Sequence, residues 1–181
     1  MNRFKNIEYL KLGNKRQNQA YKELKELNIF EKLKKYNPIL TGTVPIDIDV
    51  PESDLDIICE CKNHREFSAE LLSLFGKKTD FELKSYKENQ IQSTTAKFKT
   101  DTFEIEIFGQ HIPTEKQNAY RHMVIEDKIL NSKGPEFRAE IRSLKSGGLK
   151  TEPAFAKLLG LNGNPYTELL KFEATIQAEE E

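Results

Sequence analysis

Hydrophobic positions recur along the chain with two different periods, and the period separates the elements. Between about Gln17 and Lys35, residues Tyr21, Leu24, Leu27, Phe30 and Leu33 fall at three-residue steps, and Asn28 interrupts the middle. That spacing predicts two short helices joined at a cap. Pro38 to Gly42, "PILTG", reads as a first strand. After a loop whose Pro45 and Pro51 argue against a central strand, "DLDIICEC" predicts a second one from about Asp54 to Cys61. Side chains alternate in a strand, so Leu55, Ile57, Cys59 and Cys61 share one face while Asp54, Asp56, Ile58 and Glu60 share the other. One face packs and the other carries acid.

Asn63 is placed to cap a crossover helix over about His64 to Phe75, burying Phe67, Leu71, Leu74 and Phe75, with Gly76 as its stop. Three strand-like runs follow, "DFELKSYKE", "IQSTTAKFKT" and "TFEIEIFGQ", with turns at Asn89-Gln90 and Lys99 to Asp101. Links this short predict an antiparallel meander. In the last run Phe103, Ile105 and Ile107 alternate with Glu104, Glu106 and Phe108, so acid again shares a face. The remainder predicts helices at about 115–130, 135–146, 152–159 and 165–176, with stops at Gly147-Gly148 and Gly160, a cap at Asn164, and a frayed acidic end. The expected fold is α/β (α+β): a mixed sheet of about five strands, N-terminal helices and a helical C-terminal third. Residues 1–112 form the sheet with its flanking helices, and 113–181 form a helical region packed on it as one compact unit.

Composition narrows the function without naming it. With 181 residues, 37% hydrophobic and 31% charged, the chain has enough apolar surface for a real core. A formal net charge of -1 provides no global basic field, so long nucleic acid and anionic membranes are not favoured partners. The N-terminus lacks an apolar signal core, and no apolar run approaches a membrane span, which makes the cytoplasm the expected location. Cys59 and Cys61 sit two apart on a strand and read as small core residues rather than as a disulfide or half of a zinc site. Any metal chemistry therefore has to come from oxygen ligands.

Asp54 and Asp56 supply such ligands. On one strand face their backbones are roughly 6 to 7 Å apart, close enough for both carboxylates to hold one hard cation. Glu106 on a later strand can add a third carboxylate, with Glu104 on the same face as an alternative. Without a cation these charges repel one another and raise some of the pKa values. Just upstream, Gly42-Thr43 offers a tight turn whose N–H groups and hydroxyl can meet phosphate oxygens.

The segments "TGT" at 41–43 and "DLDI" at 54–57, with the acid in "IEIF", resemble the nucleotidyltransferase superfamily that has the DNA polymerase beta-like catalytic fold. More narrowly, "GTVPIDIDVPESDLDII", "IEIFGQ", "QNAYRHM" and "GLKTEPAFAKLLGL" resemble one bacterial group of predicted nucleotidyltransferases, a domain of unknown function. Thr43 stands where that superfamily has Gly or Ser, Thr41 where it has an apolar residue, and Asp47 and Asp49 add charge to the loop. The resemblance implies that Asp54, Asp56 and Glu106 are catalytic residues and hold Mg2+ or Mn2+, and that Gly42 and Thr43 bind the nucleotide. The implied reaction moves a nucleoside monophosphate from a nucleoside triphosphate to an unknown hydroxyl acceptor, a small molecule or a protein. Two alternatives stay open: pyrophosphate transfer to a nucleotide, and a nucleotide- or protein-binding module without turnover.

On the helix after the sheet, Gln117 and Arg121 lie one turn apart, as do His122 and Glu126, while Tyr120, Met123 and Val124 form a buried stripe. Arg121 is the nucleotide-binding candidate, because a guanidinium can grip phosphate bidentately, and a surface ion pair is its plainer role. His122 reads as a structural histidine or a base, and His64 and His111 carry less signal. Asp47 and Asp49 are expected to brace their loop through local side-chain to backbone bonds. "RSLKSGGLK", 142–150, is a helix stop that can also cradle an anion. Neither a P-loop nor a dinucleotide-binding glycine fingerprint occurs.

Overall fold

Strands form where hydrophobic residues alternate, and their pairing follows from the length of the connections. A computed structural model describes residues 3–88 and 90–172. Its sheet contains β1 (Ile39–Thr41), β2 (Leu55–Glu60), β3 (Thr79–Glu88), β4 (Ile91–Lys99) and β5 (Glu104–Gln110), in the order β1-β2-β5-β4-β3. β3, β4 and β5 form the expected antiparallel meander. β1 is antiparallel to β2, while β2 and β5 run parallel. A parallel pair needs a long crossover, supplied here by helix α3 (His64–Phe75) together with the β3–β4 hairpin.

The registers place Thr41, Asp56, Glu106, Lys97 and Glu82 in one row across all five strands. Period-two alternation then commits the two sheet faces to different tasks. Leu55, Ile57, Cys59, Ile105 and Ile107 join one buried cluster with Leu24, Leu27 and Ile29 from the N-terminal helices and Phe67 and Leu71 from α3. Both cysteines are free thiols buried in that layer. Those helices are α1 (Lys15–Leu27) and α2 (Ile29–Lys32); α1 opens with a reciprocal Asn14–Gln17 capping box and closes at Asn28 with φ 54°.

The other face packs against helices α4 (Asn118–Lys133), α5 (Pro135–Ser146), α6 (Thr151–Leu159) and α7 (Pro165–Leu170). Ile58 of β2 meets Met123, Ile125, Phe155 and Leu169 there, and Phe4 from the N-terminal turn enters the same cluster. Helices cover both faces, and the acids of the row lie on the α4 to α6 side.

Two helix boundaries depart from the sequence pattern. The helix expected over 115–130 begins instead as a 3-10 turn at Thr114–Lys116, passes through an extended Gln117 (ψ 143°), and becomes α4 only at Asn118. The buried Gln117 amide explains the break: it donates to the carbonyl oxygens of Cys59 and Ile112, both at 2.9 Å, and so ties the chain to the end of β2. Helix α7 ends at Leu170 with Lys171 as its cap, and residues 173–176 of the expected helix, the acidic end and Asn89 of the hairpin turn lie outside the described residues.

Gly109 of β5 lets α3 approach the sheet, because a Cβ there would sit 2.4 Å from Phe67 Cε1 and 3.1 Å from Cys61 Cβ. A ring held between sheet and helix has little room to retreat in a packed interior. Gly109→Ala is therefore expected to destabilise the fold by about 1 to 3 kcal/mol. Urea unfolding checks this through a lowered midpoint at unchanged slope.

Candidate active site

Between the sheet and α4 to α6 lies a cleft of about 460 Å³, and its lining mixes phosphate-sized donors with carboxylates. β1 delivers Thr41 and the Gly42-Thr43 turn, β2 delivers Asp56 with Asp54 just ahead of it, and β5 delivers Glu106. One oxygen from each of Asp54, Asp56 and Glu106 lies within 4.8 Å of the others. Parallel pairing of β2 with β5, with Asp56 beside Glu106, produces this convergence. Glu104, two residues away, is outside that group and faces Lys97 at 3.9 Å.

Gly42 is required by geometry as well as by turn type. Its φ of +83° disfavours side chains, and a Cβ at that position would stand 2.4 Å from Asp56 Oδ2. Thr43 Oγ1 donates to Ser53 Oγ at 3.2 Å, and Ser53 Oγ in turn accepts from the Val50 N–H at 3.0 Å. The hydroxyl-bearing turn is thus anchored to the far end of its own loop.

Crowding the carboxylates changes their proton affinity. Burial, then the neighbouring Asp54 and Glu106, hold Asp56 well above the usual carboxylate range, against a weaker opposing effect of Lys97 and Lys145. Asp54 is raised by burial and by Glu106. Lys97 Nζ is 2.5 Å from Glu106 Oε2 at the β4 side, and Glu106 raises its pKa first of all by a side-chain hydrogen bond. Three converging hard oxygen donors, with Asp54 and Asp56 raised in proton affinity, fit a divalent cation such as magnesium. Asp54, Asp56 and Glu106 are the residues that would hold it.

The remaining sequence candidates fall elsewhere. Arg121 is not among the residues lining the cleft; its guanidinium donates to Asn118 Oδ1 at 3.1 Å on its own helix. Lys145 of α5 is the cation that lines the cleft. Arg142, from the segment that could cradle an anion, pairs instead with Asp47. Asp49 makes the expected local bond to backbone, and both aspartates also reach further: Asp47 accepts from Asn14, and Asp49 pairs with Arg16 at 3.4 Å. Arg16 further donates to the carbonyls of Pro51 and Ser53 at 2.9 and 3.1 Å, so helices on both sides clamp the loop. Neither aspartate belongs to the carboxylate group.

His122 lines the cleft, with Nε2 2.8 Å from the Tyr166 carbonyl and Nδ1 3.5 Å from Glu152. His64 bonds Thr94 at 2.9 Å, and neither it nor His111 reaches the cleft. Lys145, Ser53, Glu126 and Glu152 were not singled out as site residues from the sequence. Lys145 falls one helical turn after the buried Ile141, and Glu126 stands between buried Ile125 and Ile129, so a charge at core spacing was the available signal. A larger cavity of about 570 Å³ lies by the N-terminal turns, where charges pair with each other, as Lys5 with Glu115 at 3.3 Å and Lys25 with Glu8 at 3.1 Å.

Among solved structures, the Cid1 poly(U) polymerase with magnesium and 3'-dATP bound matches with a TM-score of 0.53 at 13% identity, over 74% of this chain and 41% of that one. A cytoplasmic RNA terminal U-transferase matches with a TM-score of 0.51 at 13% identity, over 74% and 39% of the two chains. The GLD-2/RNP-8 complex matches with a TM-score of 0.53 at 11% identity, over 77% and 54%. The chain thus spans about half or less of these structures, and at such identities the likeness defines the fold: a mixed-sheet, polymerase beta-like nucleotidyltransferase fold. The chain belongs to the family described as a domain of unknown function, DUF4269, which matches residues 22–172. No curated protein matches it. Among the described residues, no helix is long and apolar enough to cross a membrane.

The raised Asp56 pKa has a definite sign. Its protonation favours the folded state, so its stabilising contribution is complete below the ordinary value of 3.8 and is lost as pH rises through the raised one. Without divalent cations, stability is expected to fall over that interval by at most about 1.4 kcal/mol per pH unit, the limit for one proton. Magnesium should oppose the fall, and Asp56→Asn should flatten it. Urea titrations at several pH values, with and without magnesium, provide the check.

Proposed function

We propose that the chain is a nucleotidyltransferase that moves a nucleoside monophosphate from a nucleoside triphosphate to a hydroxyl, using magnesium or manganese held by Asp54, Asp56 and Glu106. The observation that carries this reading is the convergence of those carboxylates within 4.8 Å beside the Gly42 turn. The fold's likeness to Cid1 and the narrower resemblance to a bacterial group of predicted nucleotidyltransferases support it.

The chain's own residues divide the work. N–H groups of the Gly42-Thr43 turn and the Thr43 hydroxyl meet triphosphate oxygens, and Lys145 adds positive charge across the cleft. A bound dication supplies neutralisation of the charge that develops on the phosphoryl oxygens. Glu106 takes the proton of the acceptor hydroxyl. The hydroxyl oxygen forms a bond to the α-phosphorus as the bond from that phosphorus to the bridging oxygen breaks, and pyrophosphate leaves with the bonding electrons.

A second reading, nucleotide binding without turnover, is favoured by the 2.5 Å contact of Lys97 with Glu106, which occupies one of the carboxylate oxygens. Nucleoside triphosphates labelled at the α-phosphate separate the two. Transfer of label to an acceptor or to water, lost by at least about 100-fold in Asp54→Asn and Asp56→Asn, is the expected result. Magnesium-dependent binding with no transfer under any condition supports the silent module instead.

A further inference from the structure

We propose that Glu126 and Glu152, on the helical wall of the cleft, form a subsite for an amino group carried by the hydroxyl acceptor, making that acceptor a small amine-bearing alcohol. Glu126 of α4 is only 4% exposed, lines the cleft, and has an Oε1 with no hydrogen-bond partner among the described residues. An unpartnered carboxylate oxygen in a buried wall calls for a donor from outside the chain.

Its surroundings lack one. Glu152 of α6 lines the same wall, and its nearest cation candidate is His122 Nδ1 at 3.5 Å. His122 Nε2 donates to the Tyr166 carbonyl at 2.8 Å, and its Nδ1, 3.5 Å from Glu152, lies beyond ordinary hydrogen-bond length. Lys145 is the cation lining the cleft, and its one charge is shared among Glu126, Asp49, Glu152 and Asp54. Burial, with Glu152 next, pushes the Glu126 carboxyl up to about 8, so without a partner this wall sheds its charge by holding a proton.

An ammonium group satisfies these conditions together. It supplies up to three N–H donors to a wall whose Glu126 Oε1 has none, and its charge offsets acids that one lysine does not balance. The acids of the helical wall and the three of the Asp54, Asp56 and Glu106 group disfavour a polyanionic strand, and a cleft of about 460 Å³ suits a small molecule. That the amine belongs to the acceptor rests on the transfer reading; that an amine binds here does not.

The test is binding rather than turnover. Calorimetric titration of the full chain, with magnesium and a non-hydrolysable nucleotide present, compares glucosamine with glucose and serinol with glycerol. The amine is expected to bind at least tenfold more tightly than its deaminated partner, and both Glu126→Gln and the less buried Glu152→Gln should reduce that ratio to near one. Equal binding of amine and alcohol by the wild type overturns the subsite, as does a ratio unchanged in both variants. Tighter binding of CTP than UTP that disappears in Glu126→Gln would place a nucleobase amine there and overturn the acceptor assignment. Amine binding without label transfer leaves the subsite standing and counts only against the transfer reading.

Discussion

The parallel register of β2 with β5 is the constraint on which everything else depends. It sets Asp56 directly beside Glu106, and the antiparallel register with β1 sets Thr41 on the other side of Asp56. Slipping either pairing by one residue would turn the acids into the apolar layer beneath α3 and the leucines into the cleft. Leu55, Ile57, Ile105 and Ile107, each fully buried, enforce the register. Hydrophobic packing on one face thereby holds like charges together on the other, a placement that those charges would not choose.

Other charges make that placement tolerable. The loop that joins β1 to β2 carries Asp47 and Asp49, and the structure neutralises both with arginines from α1 and α5. Arg138 also donates to the Ile46 carbonyl, so the loop is pinned by its backbone as well. After those pairs form, Asp54 and Asp56 are the carboxylates of the segment that face the cleft. The same stretch thus divides into acids matched by guanidinium groups and acids that face the cleft.

Much of this was legible in the chain. Period-two alternation assigned the faces of β2 and β5, the short links gave the meander, and the Asp-x-Asp spacing after a Gly-Thr turn pointed to the acids. The choice between Glu104 and Glu106 was not legible, because both share a face and only the register against β2 separates them. Helix α4 started later than its pattern suggested because Gln117 answers to carbonyls of Cys59 and Ile112, contacts that no local signal encodes. Lys145, Glu126 and Glu152 come from three helices whose mutual placement is set by packing, so their convergence could not be read from spacing. Arg121 suited a phosphate by residue type, but it is not among the residues lining the cleft, and its guanidinium donates to Asn118 on its own helix.

A shared fold does not transfer a substrate, and the helical wall of this cleft is acidic where a strand of nucleic acid would ask for positive charge. Transfer chemistry in this cleft requires first of all a metal in the carboxylate group. Crystals soaked in manganese, with data collected at the manganese absorption edge, test that need directly. One anomalous peak is expected within coordination distance of Asp54, Asp56 and Glu106 together; saturating manganese that leaves this position without a peak, or binds through Glu104 in place of Glu106, would overturn the metal site.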